Sequence, residues 1–93
     1  PAMTLSELKR KFVIGFECLC THNIKGPCSA KRRVEKVQTN AIAMSGPDYG
    51  TKLGWLHWPK ATELIITELP NGVELKFRHS PAILRYEWLT HQN

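Results

Sequence analysis

The stretch Glu63–Arg78, which reads ELIITELPNGVELKFR, has the strongest local pattern in the chain. Its first part is rich in β-branched residues, and its last part alternates between apolar and charged residues. That alternation is the two-residue period of a strand with one buried face. Asn71-Gly72 lies between the two parts, and this dipeptide is the strongest short signal for a hairpin turn. The sequence therefore predicts an antiparallel hairpin over residues 63–78.

The segment that follows the hairpin also alternates. Its apolar positions are Ala82, Leu84, Tyr86 and Trp88. This spacing favours a third antiparallel strand. Ser80-Pro81 would equally suit the start of a helix, with serine as the N-cap and proline at the first helical position, so a helix over 82–90 stays open.

Upstream, Ser29–Met44 is predicted as the central amphipathic helix. Ser29 is a good N-cap, and Ser45-Gly46-Pro47 is a good stop signal. One apolar stripe recurs at spacings of four and three residues: Ala30, Val34, Val37, Ala41 and Met44. Several residues of this segment are poor helix formers, so a strand over residues 34–44 is the alternative.

At the N-terminus, Thr4 and Glu7 have the spacing of a capping box, which predicts a short helix over residues 5–10. Phe12–Thr21 is the candidate first strand. The predicted fold class is α+β: a short N-terminal helix, and one central helix packed on an antiparallel sheet of about four strands. Residues 3–91 are expected to form a single domain, and Pro1-Ala2 resembles the remnant of a cleavage site.

Composition places the chain among ordinary globular domains. It has 93 residues, of which 42% are hydrophobic and 23% charged. It contains no apolar run of the roughly 18 residues that a membrane helix needs, and no signal peptide is visible. With an odd number of cysteines, three, a reducing compartment is expected. The sequence thus predicts an intracellular protein, cytoplasmic or nuclear/nucleoid, without a membrane partner.

Charge is distributed unevenly along the chain. The first 36 residues carry eight basic and three acidic side chains, whereas the remaining residues carry five of each. The whole net charge of +5 therefore lies in the first 36 residues, which favours binding of nucleic acid, either DNA or RNA. Tryptophans and lysines in the loop over residues 46–59 could add base stacking. The candidate contacts are Lys25, Lys31, Arg32, Arg33, Lys36, Lys52 and Trp55.

The alternative function is a small protein-interaction or inhibitor module that acts on a larger protein complex. Its candidate surface is the same loop over residues 46–59, because Trp55 and Trp58 belong to a residue type that is common at interface hot spots. One of the two tryptophans is expected in the core. A homodimer through the free edge of the hairpin sheet is a further alternative, since an uncovered edge strand invites pairing.

Four residues within eleven positions are potential zinc ligands: Cys18, Cys20, His22 and Cys28. Thiolate and imidazole are the ligands that zinc prefers. The spacing differs from that of common zinc fingers, and buried free cysteines in a core strand are the competing interpretation. A zinc-stabilised fold is thus a candidate that could underlie either function.

Catalytic motifs are missing from the sequence. The glycines at 46, 50 and 54 lack the Gly-Lys-Ser/Thr ending of a phosphate-binding loop, and the chain contains no Gly-x-Ser-x-Gly elbow. The sequence therefore favours a binding protein over an enzyme.

Overall fold

The computed structural model describes residues 3–89, which form one α-helix and a single seven-stranded antiparallel sheet. The elements are α1 Leu5–Lys11, β1 Glu17–Asn23, β2 Gly26–Gln38, β3 Ala41–Ser45, β4 Gly54–His57, β5 Leu64–Leu69, β6 Gly72–Phe77 and β7 Ile83–Trp88. The strand order is β4-β3-β2-β1-β7-β6-β5, so the first and last hairpins of the chain meet where β1 pairs with β7. Among residues 3–89, no helix combines the length and hydropathy needed to cross a membrane.

The N-terminal helix begins as the sequence predicts. The Thr4 Oγ1 accepts the Glu7 backbone N–H at 3.1 Å, and the Glu7 carboxylate accepts the Thr4 N–H at 2.8 Å. This capping box satisfies two backbone donors that a helix start leaves unpaired. Leu8, on the inner face of α1, is fully buried, which fixes the helix against the sheet.

The sheet curls around one hydrophobic core. Ile42 on β3 and Leu56 on β4 lie near one end of the strand order, whereas Leu64 and Ile66 on β5 lie at the other. All four belong to one buried cluster, which a flat sheet of seven strands could not bring together. Phe12, just after α1, lies in the same cluster and packs its ring 5.6 Å from that of Tyr86.

The predicted α+β fold with a central helix is wrong. Residues 29–44 lie in the β2–β3 hairpin, and the described sheet has seven strands instead of about four. Along β2, Ala30, Arg32 and Val34 are buried and the residues between them are exposed, which is the period of a strand. The helical stripe coincided with this pattern at Ala30 and Val34 only. Pairing along both edges of β2 outweighs the modest helix preference of its lysines, arginines and glutamate.

The other element predictions fare better. The hairpin over 63–78 is confirmed as β5–β6, and the segment after Pro81 is a strand, β7. The first strand begins at Glu17, later than predicted, because Gly15 adopts φ +91° in the turn that precedes it. The β5–β6 turn is centred on Pro70-Asn71, and no positive φ occurs at Asn71 or Gly72. Proline at the second turn position and glycine at the fourth fit a type I turn.

Candidate nucleic-acid interface

The predicted basic cluster of β2 is divided between two faces of the sheet. The Lys31 and Arg33 side chains are 60% and 53% exposed on the outer face. Arg32 lies between them in sequence but points into the curl and is only 2% exposed. The separation follows from the alternation of a strand, in which consecutive side chains point to opposite faces.

Arg32 forms a fixed ion pair inside the curl. Its two terminal nitrogens donate to the Asp48 carboxylate at 2.6 and 2.9 Å, and its guanidinium carbon lies 4.1 Å from the centre of the Tyr49 ring. Burial alone would lower the pKa of Arg32, but the hydrogen bonds with Asp48 hold that pKa above its ordinary value. The same hydrogen bonds lower the pKa of Asp48. Arg32 therefore joins β2 to the loop after β3.

Space for this pair comes from Gly46. A Cβ at this position would overlap the Arg32 guanidinium and the Lys31 carbonyl oxygen. The sequence signal that could have revealed the pair is slight: Asp48 is the only aspartate in the chain, and it follows Gly46-Pro47.

The outer-face cations are held loosely. Glu17 lies 3.8 Å from the Lys31 ammonium and 3.7 Å from the Arg33 guanidinium, and Glu35 lies 3.7 Å from Arg33. These separations exceed good hydrogen-bond lengths, and exposed pairs of this kind contribute little to stability. Lys31 and Arg33 are therefore available to a ligand, although the two glutamates reduce the local positive charge.

A cation and an aromatic side chain share one row of this outer face. The register pairs Lys36 on β2 with Ala43 on β3, and Ala43 with Trp55 on β4. Ala43 has a short side chain and is fully buried between its larger neighbours. Trp55 is 44% exposed and stacks with His57, with ring centres 6.3 Å apart and an angle of 25° between the planes. The aromatic pair on β4 thus faces the cations of β2 across β3.

The three tryptophans have different environments. Trp58 is buried and packs edge-to-face on Phe12, with ring centres 6.1 Å apart, so it belongs to the core. Trp88 packs in the same way on Phe12 and Phe16. The expectation that one tryptophan of the 46–59 loop closes the core is confirmed for Trp58, and Trp55 is exposed on the outer face.

The other predicted contacts, Lys25 and Lys52, lie in connecting segments and not on the strands of the outer face. Lys25 is in the β1–β2 turn, where its backbone N–H donates to the Asn23 Oδ1 at 2.8 Å. Lys52 is in the loop between β3 and β4. Both side chains are exposed at the end of the curled sheet.

The four predicted zinc ligands do not form one site. Cys18 and Cys20 are buried, and the Cys28 sulfur lies 3.6 Å from that of Cys20. A bulge after Cys20 breaks the alternation, and the His22 Nδ1 lies 2.9 Å from the Ile83 carbonyl oxygen, to which it donates. Over residues 3–89, no group of three or more His, Cys, Asp or Glu side chains is placed to hold a metal ion.

Burial also changes the acidity of the two inner cysteines. It raises the pKa of Cys18 to about 12 and that of Cys20 to about 11. Both are therefore protonated thiols at neutral pH in the metal-free fold.

Comparison of the chain with models of known protein families, with curated proteins and with solved structures finds no match. The function must therefore be argued from the site itself.

Proposed function

We propose that the chain binds single-stranded nucleic acid on the outer face of β2, β3 and β4. The observation that carries this proposal is the placement of Arg33 and Lys36 on the same face as the exposed Trp55–His57 pair. An exposed pair of stacked rings offers a flat surface on which an unpaired base can stack. A duplex hides the faces of its bases, so the rings favour a single strand over a double one.

The strand spacing supports a binding path along β3. Neighbouring strands lie about 4.8 Å apart, so β2 and β4 are separated by roughly 10 Å. A single strand running over Ala43 would place its bases on the β4 rings and its phosphates beside the β2 cations.

Long-range electrostatics add to these contacts. The net charge of +5 attracts a phosphate backbone at a distance, and Lys25 and Lys52 contribute to this field. Arg32 is omitted from the proposed contacts, since its guanidinium is buried and paired with Asp48.

The test is the binding of labelled single-stranded DNA and RNA, followed by fluorescence anisotropy at rising salt, with a duplex of equal length for comparison. Trp55→Ala is expected to weaken binding about five- to a hundred-fold, the loss of one stacked base, and Trp55→Phe to recover part of it. Lys36→Ala is expected to reduce the salt slope by about 0.7, because one phosphate contact disappears.

Lys76→Ala is the matched control, since it also removes one exposed lysine but lies on β6. It should leave the salt slope unchanged. Equal effects of Lys36→Ala and Lys76→Ala would mean that only net charge matters, and no binding at low salt would remove the proposal.

A second candidate function is protein binding at the edge of the sheet. Within residues 3–89, β4 pairs on one side only, and it carries the exposed Trp55. An extended partner segment could add a strand there, with Trp55 as its anchor. The other edge, β5, carries the exposed Ile65 and is the candidate surface for a homodimer. Light scattering of wild type and Ile65→Lys tests the homodimer: a dimer that only the variant loses would support it.

A further inference from the structure

A cavity of about 390 Å³ lies inside the curl, and Trp55 of the outer face also contributes to its lining. Its wall consists of side chains from strands far apart in the sheet, including Met44, Leu56, Phe77, Leu84 and Tyr86. The exposed residues of its lining are Ile24 in the β1–β2 turn, Trp55 on β4 and Ser80 in the β6–β7 connection, so the cavity opens beside them. Small-molecule sites are concave, mostly apolar and about 300–1,000 Å³ in volume, so this cavity has the size and lining of such a site.

Two polar groups of the interior already have partners. Arg32 is paired with Asp48, and the Cys20 thiol lies within 3.5 Å of the His22 carbonyl oxygen. Over residues 3–89, every buried side-chain nitrogen and oxygen has a hydrogen-bond partner. Burial also raises the pKa of Cys20 and of Tyr86, so both are uncharged at neutral pH.

The interior thus selects an apolar body. A nucleobase or sugar placed there would bury several polar atoms against a mostly apolar lining, which is unfavourable. A hydrocarbon body, aliphatic or aromatic, has no such requirement and gains from leaving water.

The rim has a different character. Ile24, beside the opening, is 74% exposed, and exposed apolar side chains at the mouth of a cavity indicate a contact surface. Lys25 follows Ile24 directly, and Lys52 lies in the loop that supplies Tyr49 to the lining. Among the described residues, no carboxylate lies within ion-pairing distance of either lysine. The mouth therefore combines apolar surface with unpaired positive charge.

We propose that this cavity binds a small amphipathic anion, with its hydrocarbon body among Met44, Leu56 and Leu84 and its anionic group at Lys25 and Lys52. The site shares Trp55 with the nucleic-acid proposal, but the contacts proposed for the anion lie on the inner face and at Lys25 and Lys52. A medium-chain carboxylate is the simplest representative of this class.

The experiment is a titration of the full chain, labelled at its methyl groups, with decanoate, decanol, acetate and thymidine monophosphate, followed by NMR. Decanoate is expected to shift the Met44, Leu56 and Leu84 methyl signals, and decanol to shift the same signals with lower affinity. Acetate and the nucleotide should leave them unchanged. Shifts of these methyls with the nucleotide, or none with decanoate, would overturn the proposal.

Two variants locate the ligand. Lys25→Ala/Lys52→Ala is expected to weaken decanoate binding roughly three- to tenfold and to leave decanol unaffected. Lys36→Ala/Lys76→Ala removes the same charge elsewhere and is expected to change neither. Ala82→Trp fills the mouth and should abolish binding of both ligands. If Ala82→Trp fails to fold, the lysine pair and the wild-type methyl shifts still decide the question, because unchanged decanoate affinity in Lys25→Ala/Lys52→Ala would remove the proposed anion contact.

Discussion

The β5–β6 and β2–β3 hairpins belong to the same antiparallel sheet, but their sequences specify it differently. In β5–β6, the apolar alternation and the Pro70-Asn71-Gly72 turn both indicate a hairpin. In β2–β3, the apolar spacing and the end signals favour a helix although several residues are poor helix formers, and the Thr39-Asn40 turn contains neither glycine nor proline. One hairpin is encoded locally, whereas the other depends on its neighbours.

The neighbours of β2 explain why it is a strand. It spans 13 residues and pairs with β1 on one edge and β3 on the other. A helix over the same residues would give up both ladders and would remove Arg32 from Asp48. Tertiary pairing can override propensity because helix propensities differ by less than about 1 kcal/mol per residue, proline excepted.

Gly72→Ala is the largest expected disruption of the locally encoded hairpin. A Cβ at Gly72 would overlap the Tyr86 carbonyl oxygen on β7, and a backbone atom paired in a sheet cannot move aside cheaply. We expect the free energy of unfolding to fall by about 3 kcal/mol or more, measured by urea denaturation.

Gly26→Ala is the matched comparison, because Gly26 begins β2 as Gly72 begins β6. Gly26 has φ +122° and no atom within 4 Å of an added Cβ, so only backbone strain opposes the change. A loss of about 1–2 kcal/mol is expected. If Gly26→Ala were the more damaging, contact with β7 would not be the reason for glycine at position 72.

Removal of the Asp48 carboxylate is expected to destabilise the β2–β3 hairpin, by less than Gly72→Ala destabilises β5–β6. Asp48→Ala would leave the buried guanidinium without its carboxylate, and the melting temperature should fall by several degrees. Arg32→Met/Asp48→Ala replaces the pair by an apolar side chain and should recover most of that loss. A double variant less stable than Asp48→Ala would show that the guanidinium stabilises β2 without its partner.

The sequence predicts correctly the elements that are encoded by their own residues, and fails for the hairpin that depends on distant strands. The Thr4–Glu7 capping box and the β5–β6 hairpin depend on residues close in the sequence, and β7 has a clear apolar alternation of its own. All three predictions are confirmed. The central helix was wrong because the stripe at Ala30 and Val34 fits both a helix and a strand. Only pairing with β1 and β3 distinguishes them, and these partners are distant in the sequence.

Some features of the candidate site can be recognised in the sequence, whereas others depend on the fold. The basic residues of β2 were found from charge, but the strand period that buries Arg32 was hidden by the helix prediction. The row from Lys36 to Trp55 depends on the register of three strands, which the sequence does not reveal. The cavity has no sequence signal, since its lining comes from strands far apart in the chain.

The free energy of unfolding at low pH should depend on the Arg32–Asp48 ion pair. The hydrogen bonds from Arg32 lower the pKa of Asp48 in the folded state. The stabilisation is therefore present above the unfolded pKa of about 3.9, and is lost as the pH falls through the lower folded pKa. We expect the stability gap between wild type and Asp48→Asn to narrow below about pH 4 in urea titrations. A constant gap would mean that Asp48 acts without its charge.

The smallest expected effect is a difference in helical content between peptides taken from the two hairpins. Peptides of residues 29–44 and 63–78 would be compared by circular dichroism in rising trifluoroethanol, which favours helices. Without partner strands, the 29–44 peptide should follow its own propensity and reach roughly twice the helical ellipticity of the 63–78 peptide, which contains Pro70 and a β-branched run. Equal ellipticity would contradict a local helical preference in β2–β3. The error of the sequence prediction would then lie in the spacing of its apolar residues alone, and pairing in the sheet would have no competing helix to overcome.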